Sequence, residues 1–302
     1  MPKAPDNQFK NMPKGFGVEW LTRNSFTLNG YKFNIPSSLA DLMFSAEQVA
    51  NSEPNSFYLG KELDILRNYF ALFKQMSPKR ILDLGVALGG SAVFLQLMAK
   101  PERLLALELS TKRADLLDRF IKDESLEESL HVVHGVDQGD ARRVKQLCEE
   151  HFGTGRSIDL VIDDASHLLA PTRTSFETVF PLIAPGGSYI VEDFATLPIF
   201  LNPWLEKAGE HDGARKLVEV GLQQFTQEDH RPLHALAMEA ILGSIADPGI
   251  INRVIVNKHW LRIIRGGKAI EDPANFDLRA MAVDHFQLTQ SSLIESLTPY
   301  LR

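Results

Sequence analysis

The sequence has little of several features that would set it apart from ordinary globular enzymes. It has one cysteine, Cys148, among 302 residues, so no disulfide can form within the chain and a reducing environment is expected. Positively charged residues are fewer than negatively charged ones, with 32 Lys and Arg against 39 Asp and Glu. The resulting net charge of -7 argues against a nucleic-acid partner. No apolar run reaches transmembrane length, and residues 1–15 lack the apolar core of a signal peptide. We therefore expect a cytoplasmic protein with no membrane partner.

The N-terminal 56 residues are interpreted as an extension or flap. Within them, Asn29-Gly30 stands between two apolar alternations, a pattern that predicts a hairpin with a two-residue type I′ turn. A helix with a serine cap is predicted to follow from residue 37. The aromatic residues of this extension form either a packed cover over the main domain or a wall of an acceptor pocket.

From about residue 60 the pattern changes to alternating strands and helices, which predicts an α/β domain over residues 57–302. Apolar strands separated by helices indicate a parallel sheet covered on both faces. The expected strands are 80–85, 103–110, 130–135, 158–164 and 187–194, and the expected helices are 61–76, 90–100, 112–123, 141–152 and 172–183. The residues near 253–266 then predict an antiparallel hairpin at the sheet edge. A helical insert at about 199–250 is interpreted as a lid or an oligomerisation element, and a homo-oligomer is expected.

A glycine-rich turn follows the first of these strands, in "ILDLGVALGGSA" at 81–92. Its glycines allow the backbone to approach a ligand closely and open a helix whose N-terminus is electropositive. Asp83 precedes the first glycine, and a carboxylate there suits a ligand that carries an amino group. Glu108, at the end of the second strand, could accept ribose hydroxyls or cap the next helix. Asp137, with Gln138 beside it, could accept from an adenine amino group or be a turn aspartate.

Two further strands end in paired acids, in "VIDDASHLL" (161–169) and "SYIVEDF" (188–194). Carboxylates grouped at one sheet edge are costly to desolvate unless a cation or hydrogen bonds compensate. Because strand residues alternate between faces, we expect Asp164, Glu192 and Asp193 to converge as an oxygen-ligand site for Mg²⁺. Asp163 is expected to accept from backbone amides near the glycine-rich turn. His167 is the candidate base, since histidine accepts protons readily near neutral pH.

Together, "DLGVALGGS", "ALELS", "IDDASH" and "GGSYIVEDF" resemble the class I S-adenosylmethionine-dependent methyltransferases. More narrowly, they resemble the metal-dependent sugar O-methyltransferases of natural-product biosynthesis, of the mycinamicin, rhamnosyl-tetracenomycin and macrocin types. The resemblance covers roughly residues 58–197 and the hairpin near 253–266. It implies a Rossmann-like fold with a mostly parallel seven-stranded sheet, and methyl transfer to a hydroxyl of a small molecule, such as a sugar moiety of a natural product.

The same resemblance implies the site residues. His167 would be the catalytic base, and Mg²⁺ would be held by Asp164, Glu192 and Asp193. S-adenosylmethionine would be contacted by Asp83, Gly85, Gly89, Ser91, Glu108, Asp137, Gln138 and Asp163.

Two other functions compete with this interpretation. A nicotinamide-dependent oxidoreductase would share the glycine-rich turn and Glu108, but it leaves the acidic cluster and the terminal hairpin unexplained. A non-catalytic protein of the same fold could act as a partner or scaffold, although such a protein has no need to keep the acids beside one another. Locally, His167 could instead cap a helix or orient Asp164, and Glu192-Asp193 could cap a loop.

Overall fold

Two sheets organise the chain in the computed structural model, which describes residues 9–37, 55–194 and 233–285. The larger sheet has seven strands, and the smaller one, near the N-terminus, has four. The smaller sheet contains β1 (Val18–Thr22), β2 (Ser25–Leu28), β3 (Tyr31–Asn34) and β4 (Ser56–Tyr58). The larger sheet contains β5 (Arg80–Leu84), β6 (Arg103–Glu108), β7 (Leu130–His134), β8 (Ile158–Asp163), β9 (Ile183–Glu192), β10 (Ile251–Val256) and β11 (Trp260–Arg265).

The larger sheet has the strand order β10-β11-β9-β8-β5-β6-β7. Strands β5 to β9 run parallel, and β11 is antiparallel to both of its neighbours, β9 and β10. The predicted parallel sheet with a C-terminal antiparallel hairpin is therefore confirmed, and the fold is the Rossmann-like α/β fold with a mostly parallel seven-stranded sheet. The chain reverses direction across the sheet between β5 and β8, and such a switch point leaves a crevice at the carboxyl ends of these strands.

Helices cover both faces of this sheet, and alternate strand residues supply two hydrophobic layers. Ile81 faces one layer with α1 and α2, whereas Leu82 faces the other with α4 and α5. None of the helices in the described ranges is long and apolar enough to cross a membrane. The helices are α1 (Leu63–Gln75), α2 (Gly90–Ala99), α3 (Asp115–Asp123), α4 (Ala141–Phe152), α5 (Leu169–Val179), α6 (Ala235–Ala246) and α7 (Leu278–His285).

The N-terminal hairpin is confirmed. Asn29 and Gly30 both have positive φ, +49° and +86°, and Leu28 pairs with Tyr31 across the two-residue turn, as a type I′ turn requires. Phe26 of this small sheet packs against Phe94 of α2, with ring centroids 6.3 Å apart. The small sheet is therefore a packed cover on the main domain.

The proposed boundary at residues 56 and 57 falls inside β4, which pairs in parallel with β3. The helix predicted from residue 37 lies outside the described residues, and so does most of the 199–250 insert, of which α6 is described. Cys148 is buried in α4, and this burial raises the pKa of its thiol to about 12, so it is a structural thiol.

Candidate active site

A cleft at the carboxyl ends of β5, β6 and β8 contains two adjoining cavities of about 270 and about 340 Å³. They share the walls formed by Gly85, Ala87, Asp164 and Ala165. The smaller cavity is completed mainly by the ends of β6 and β7, and the larger by the segment between β4 and α1, the start of α2 and the end of β9. Of the predicted site residues, the smaller cavity adds Glu108, Asp137 and Gln138, and the larger adds Ser91, His167 and Asp193.

At the glycines of the glycine-rich turn, neighbouring atoms lie too close to leave room for a side chain. Gly85 has φ +95°, and a Cβ there would lie 2.3 Å from the backbone oxygen of Asp164. A Cβ at Gly90 would lie 1.9 Å from the backbone oxygen of Tyr58. Gly89 has φ +90° and precedes the first residue of α2. The turn is thus a backbone cradle between β5 and α2, and its glycines bring the walls of both cavities together.

Glu108 braces this cradle from the end of β6. Its Oε2 accepts hydrogen bonds from the amides of Val86 and Ala87, at 2.9 and 2.8 Å, and its Oε1 accepts from Ser110 at 2.8 Å. A carboxylate has about four acceptor sites, so these three bonds leave capacity for a ligand hydroxyl. The structure therefore places Glu108 where a ribose could lie, while it also holds the turn.

Asp83 presents an unsatisfied oxygen beneath the cradle. Ser91 donates to its Oδ2 at 3.0 Å, whereas its buried Oδ1 has no hydrogen-bond partner among the residues that the structure describes. Burial raises the pKa of Asp83 to about 7, although the nearby Lys61 ammonium and the Ser91 hydroxyl act in the opposite direction. A buried acceptor without a partner is costly, and a ligand amino group would satisfy it.

The two predicted adenine contacts both line the smaller cavity, but they differ in exposure and in hydrogen bonding. Asp137 is exposed, lines the smaller cavity and accepts from the amide of Gly139 at 2.7 Å, as a turn aspartate does. The side chain of Gln138 is buried and spans two elements: it donates to Asp163 at 3.0 Å and accepts from the amide of Ser166 at 2.8 Å. Gln138 therefore holds the loop after β8, and its amide group is already committed.

The prediction for Asp163 is wrong. It is buried and accepts from the hydroxyls of Tyr189 at 2.6 Å and Ser175 at 3.1 Å, in addition to Gln138, and not from amides of the glycine-rich turn. It lines neither cavity of the cleft. The physical reason is strand alternation, because Asp163 faces the same layer as Val161, towards α5 and away from the cradle. Burial raises its pKa, and the three donors oppose this rise.

Lys61, at the start of α1, supplies the cation among the acids. Its side chain is 1% exposed, and its Nζ donates to Asp164 Oδ2 at 2.9 Å and to Glu192 Oε2 at 2.7 Å. The hydroxyl of Tyr69 donates to the other oxygen of Glu192. Burial alone would lower the pKa of Lys61, but Asp164 and Glu192 raise it above its ordinary range, so the side chain stays an ammonium. Sequence reasoning missed both Lys61 and Tyr69.

The structure therefore does not bring the three predicted metal ligands together as one set. Burial raises the pKa of Glu192, whereas Lys61 lowers it and fixes the carboxylate inside the protein. The groups whose ligand atoms all lie within 4.8 Å of one another are Asp164, His167 and Asp193. His167 Nε2 lies 3.8 Å from Asp164 Oδ1, and the side chain of His167 is 36% exposed. The structure brings two of the three predicted ligands together and adds the predicted base beside them.

Backbone strain accompanies this cluster. His167 and Asp193 have φ of +56° and +51°, in the left-handed region that non-glycine residues rarely adopt. Each such residue costs roughly 1 kcal/mol or more, and such strain concentrates at functional sites. Both side chains line the larger cavity. The chain thus accepts unfavourable backbone geometry at the two positions that place the imidazole and the carboxylate in the cleft.

Residues 82–194 match a family model described as "Methyltransferase domain". The chain is 30% identical to the 8-demethyl-8-(2-methoxy-α-L-rhamnosyl)-tetracenomycin-C 3'-O-methyltransferase of Streptomyces olivaceus. This match extends over 138 residues, which are 44% of this chain and 32% of the relative. It is 37% identical to the mycinamicin VI 2''-O-methyltransferase of Micromonospora griseorubida over 82 residues, 27% of this chain and 18% of the relative. These matches span about a third or less of the relatives' lengths.

Among solved structures, the MycE methyltransferase of the mycinamycin biosynthetic pathway, in complex with Mg, SAH and mycinamycin VI, is similar to this chain. The two are 22% identical, with a TM-score of 0.47, over 76% of this chain and 57% of that one.

Proposed function

We propose that the protein is a class I S-adenosylmethionine-dependent methyltransferase that methylates a hydroxyl group of a small molecule with the aid of Mg²⁺, in line with the match of residues 82–194 to a methyltransferase-domain model. The observation that carries this proposal is the shared wall of the two cavities. Gly85 of the cradle and Asp164 both belong to that wall, and the larger cavity adds His167 and Asp193 together with Ser91, which donates to Asp83. A methyl donor in the cradle would therefore adjoin a site that can activate an acceptor oxygen.

The residues of the cradle fit S-adenosylmethionine. The unpaired Oδ1 of Asp83 suits its amino group, Glu108 has acceptor capacity for its ribose hydroxyls, and Gly85 leaves room for close approach. Asp137 is placed to contact the base from the exposed rim of the smaller cavity. When bound, this molecule supplies a methyl group on a positively charged sulfur.

The acids beside the cradle fit Mg²⁺ in a modified form of the predicted site. Mg²⁺ is held in proteins by one or two carboxylates and keeps several of its waters. Asp164 and Asp193 would be those carboxylates, because Glu192 is held by Lys61 and Tyr69. A bound ion would lower the pKa of a coordinated hydroxyl. His167, which lies beside these carboxylates, would act as the base.

The residues divide the reaction between them. Asp164 and Asp193 orient the acceptor hydroxyl, and His167 takes its proton as the bond between the acceptor oxygen and the methyl carbon forms. The bond between that carbon and sulfur breaks at the same time, its electron pair stays on sulfur, and S-adenosylhomocysteine and a methyl ether result. Holding both reactants in line supplies several kcal/mol of the barrier reduction.

The names of two relatives support the acceptor class that we propose. Their names describe rhamnosyl-tetracenomycin and mycinamicin substrates, and so we propose a sugar hydroxyl of a glycosylated natural product. Tyr58 and Gly60, at the end of the small sheet, line the larger cavity beside Ser91. We propose that the segment that ends the small sheet contributes to the acceptor pocket. The part of the 199–250 insert before Leu233 lies outside the described residues. A cytoplasmic homo-oligomer remains our prediction.

A calorimetric titration with S-adenosylhomocysteine, with NAD in parallel and Mg²⁺ present or chelated, tests this function. Micromolar binding of S-adenosylhomocysteine without NAD binding supports it. Binding of NAD alone would instead favour the oxidoreductase, and binding of neither would favour the non-catalytic protein. Loss of methyl transfer on chelation, followed by recovery with added Mg²⁺, then tests the metal.

We predict that the affinity for S-adenosylhomocysteine rises with pH until about 7, where Asp83 becomes ionised. The carboxylate that attracts the ligand amino group is progressively lost below this pKa, so affinity falls by up to about ten-fold per pH unit. The charged groups that act on Asp83 are Lys61, Asp164 and Glu108. Calorimetry at several pH values measures the slope. Asp83→Asn should bind more weakly and lose this slope, and an unchanged slope in that variant would contradict the assignment.

A further inference from the structure

We propose that Lys61 is a resident cation that excludes Glu192 from metal coordination and confines a divalent ion to Asp164 and Asp193. Lys61 would thus be a positioning residue, acting through the two carboxylates that it holds. This inference rests on the proposed function, since it concerns the metal used to activate the acceptor. It changes the predicted ligand set of this chain and assigns a role to a residue outside the acidic motifs.

The contacts of Lys61 divide the acids into two groups. Its Nζ contacts one oxygen of Asp164 and one oxygen of Glu192, and Tyr69 occupies the second oxygen of Glu192. Each oxygen of Glu192 therefore already has a donor, and one of these donors carries the positive charge that a divalent ion would have to displace. Asp164 keeps Oδ1, the oxygen that lies 3.8 Å from His167, and its carboxylate belongs to the cluster with Asp193.

The burial of the pair makes this division stable. The side chains of Lys61 and Glu192 are each 1% exposed, whereas that of Asp164 is 22% exposed. A divalent ion that used Glu192 would have to displace a buried ammonium or lie beside it, and like charges at such short range repel strongly. Removing one partner from a buried ion pair is also costly. The accessible route for an ion is therefore through the more exposed side of Asp164.

The backbone around Lys61 fixes its position. Its amide donates to the backbone oxygen of Leu59 at 2.7 Å, and the amide of Leu59 donates to Asn34 of β3 at 2.8 Å. The backbone oxygen of Tyr58, three residues before Lys61, lies against Gly90 of the cradle. Lys61 is thus held by the small sheet and the glycine-rich turn together, and its charge enters the acidic cluster from a segment outside the parallel sheet.

Lysine substitutions with a manganese readout test this assignment. Mn²⁺ serves as the probe, and its free fraction is measured by electron paramagnetic resonance in the full-length protein. Lys61→Met removes the competing charge and frees Glu192, so Mn²⁺ is expected to bind about ten-fold tighter or more. Lys61→Arg retains the charge and should stay near the wild-type affinity. If Lys61 had only a structural role, Lys61→Met would bind Mn²⁺ as tightly as wild type or more weakly. That result would overturn the proposal.

A second variant covers the case in which Lys61→Met does not fold. Lys61→Met combined with Glu192→Gln removes both charges of the buried pair, so it avoids an unpaired buried carboxylate at residue 192. Its Mn²⁺ affinity should stay within a few-fold of wild type, because Asp164 and Asp193 remain. Loss of Mn²⁺ binding in this folded variant would show that Glu192 is a ligand and overturn the proposal. S-adenosylhomocysteine is titrated into the same samples, since its failure to bind wild type would overturn the methyltransferase assignment instead.

Discussion

Asp164→Asn is expected to lower the rate of methyl transfer by about a thousand-fold or more while the affinity for S-adenosylhomocysteine stays within a few-fold. The asparagine side chain has the same shape and keeps one oxygen, so it can still accept from Lys61. It loses the negative charge that would hold a divalent ion beside His167. Single-turnover kinetics and calorimetry on the same preparation measure the two effects separately.

The neighbouring aspartate provides a matched comparison, since Asp163→Asn makes the same chemical change one position earlier. Asp163 accepts from Tyr189, Ser175 and Gln138 in the buried layer, and an asparagine amide would face these donors with a donor of its own. We expect a loss of stability of about 2–4 kcal/mol with catalysis by the folded fraction largely retained. If Asp164→Asn kept full turnover, the metal mechanism would be wrong.

Gly85→Ala is expected to abolish cofactor binding, with an affinity loss of about a hundred-fold or more, and to destabilise the domain by about 3 kcal/mol or more. The added Cβ would lie 2.3 Å from the backbone oxygen of Asp164. Backbone on both sides must shift, because neither atom belongs to a flexible side chain. Thermal unfolding and S-adenosylhomocysteine titration measure the two losses.

Gly153→Ala is the control for this substitution. Gly153 has a similar φ of +85°, but a Cβ there would meet nothing within 4 Å. With ψ of 169° it lies in a region that is essentially confined to glycine, so the substitution carries a backbone cost of about 1–3 kcal/mol without the clash. Cofactor affinity should be unchanged. Equal destabilisation by the two variants would mean that φ, and not the close approach of Asp164, makes Gly85 necessary.

Most of the fold could be predicted because its signals are local. Apolar strands such as 158–163 alternate with amphipathic helices such as 141–152, and Asn29-Gly30 identifies its hairpin by turn chemistry alone. The place of the site also follows, because parallel strands end at one sheet edge. The position of Asp163 could have been found as well, since it has the same strand parity as the core residue Val161.

The role of Lys61 could not be predicted in the same way. Its partners lie 103 and 131 positions away, and a lysine at the start of an amphipathic helix is ordinarily solvated. Tyr69 likewise matches the apolar face of α1, and only the tertiary structure places its hydroxyl against Glu192. Compensation of the clustered acids was expected from the sequence, but the identity of the compensating groups depends on which elements pack together.

The small N-terminal sheet has a consequence for the cooperativity of unfolding. Its β4 strand leads within three residues to Lys61, and Phe33 of β3 packs against Phe94 of α2, with ring centroids 6.1 Å apart. Local opening of this sheet would withdraw the ammonium from Asp164 and Glu192 and leave two carboxylates without their shared donor. Electrostatic repulsion in the cleft would then oppose opening of the cover, so the cover and the acidic cluster behave as one cooperative unit.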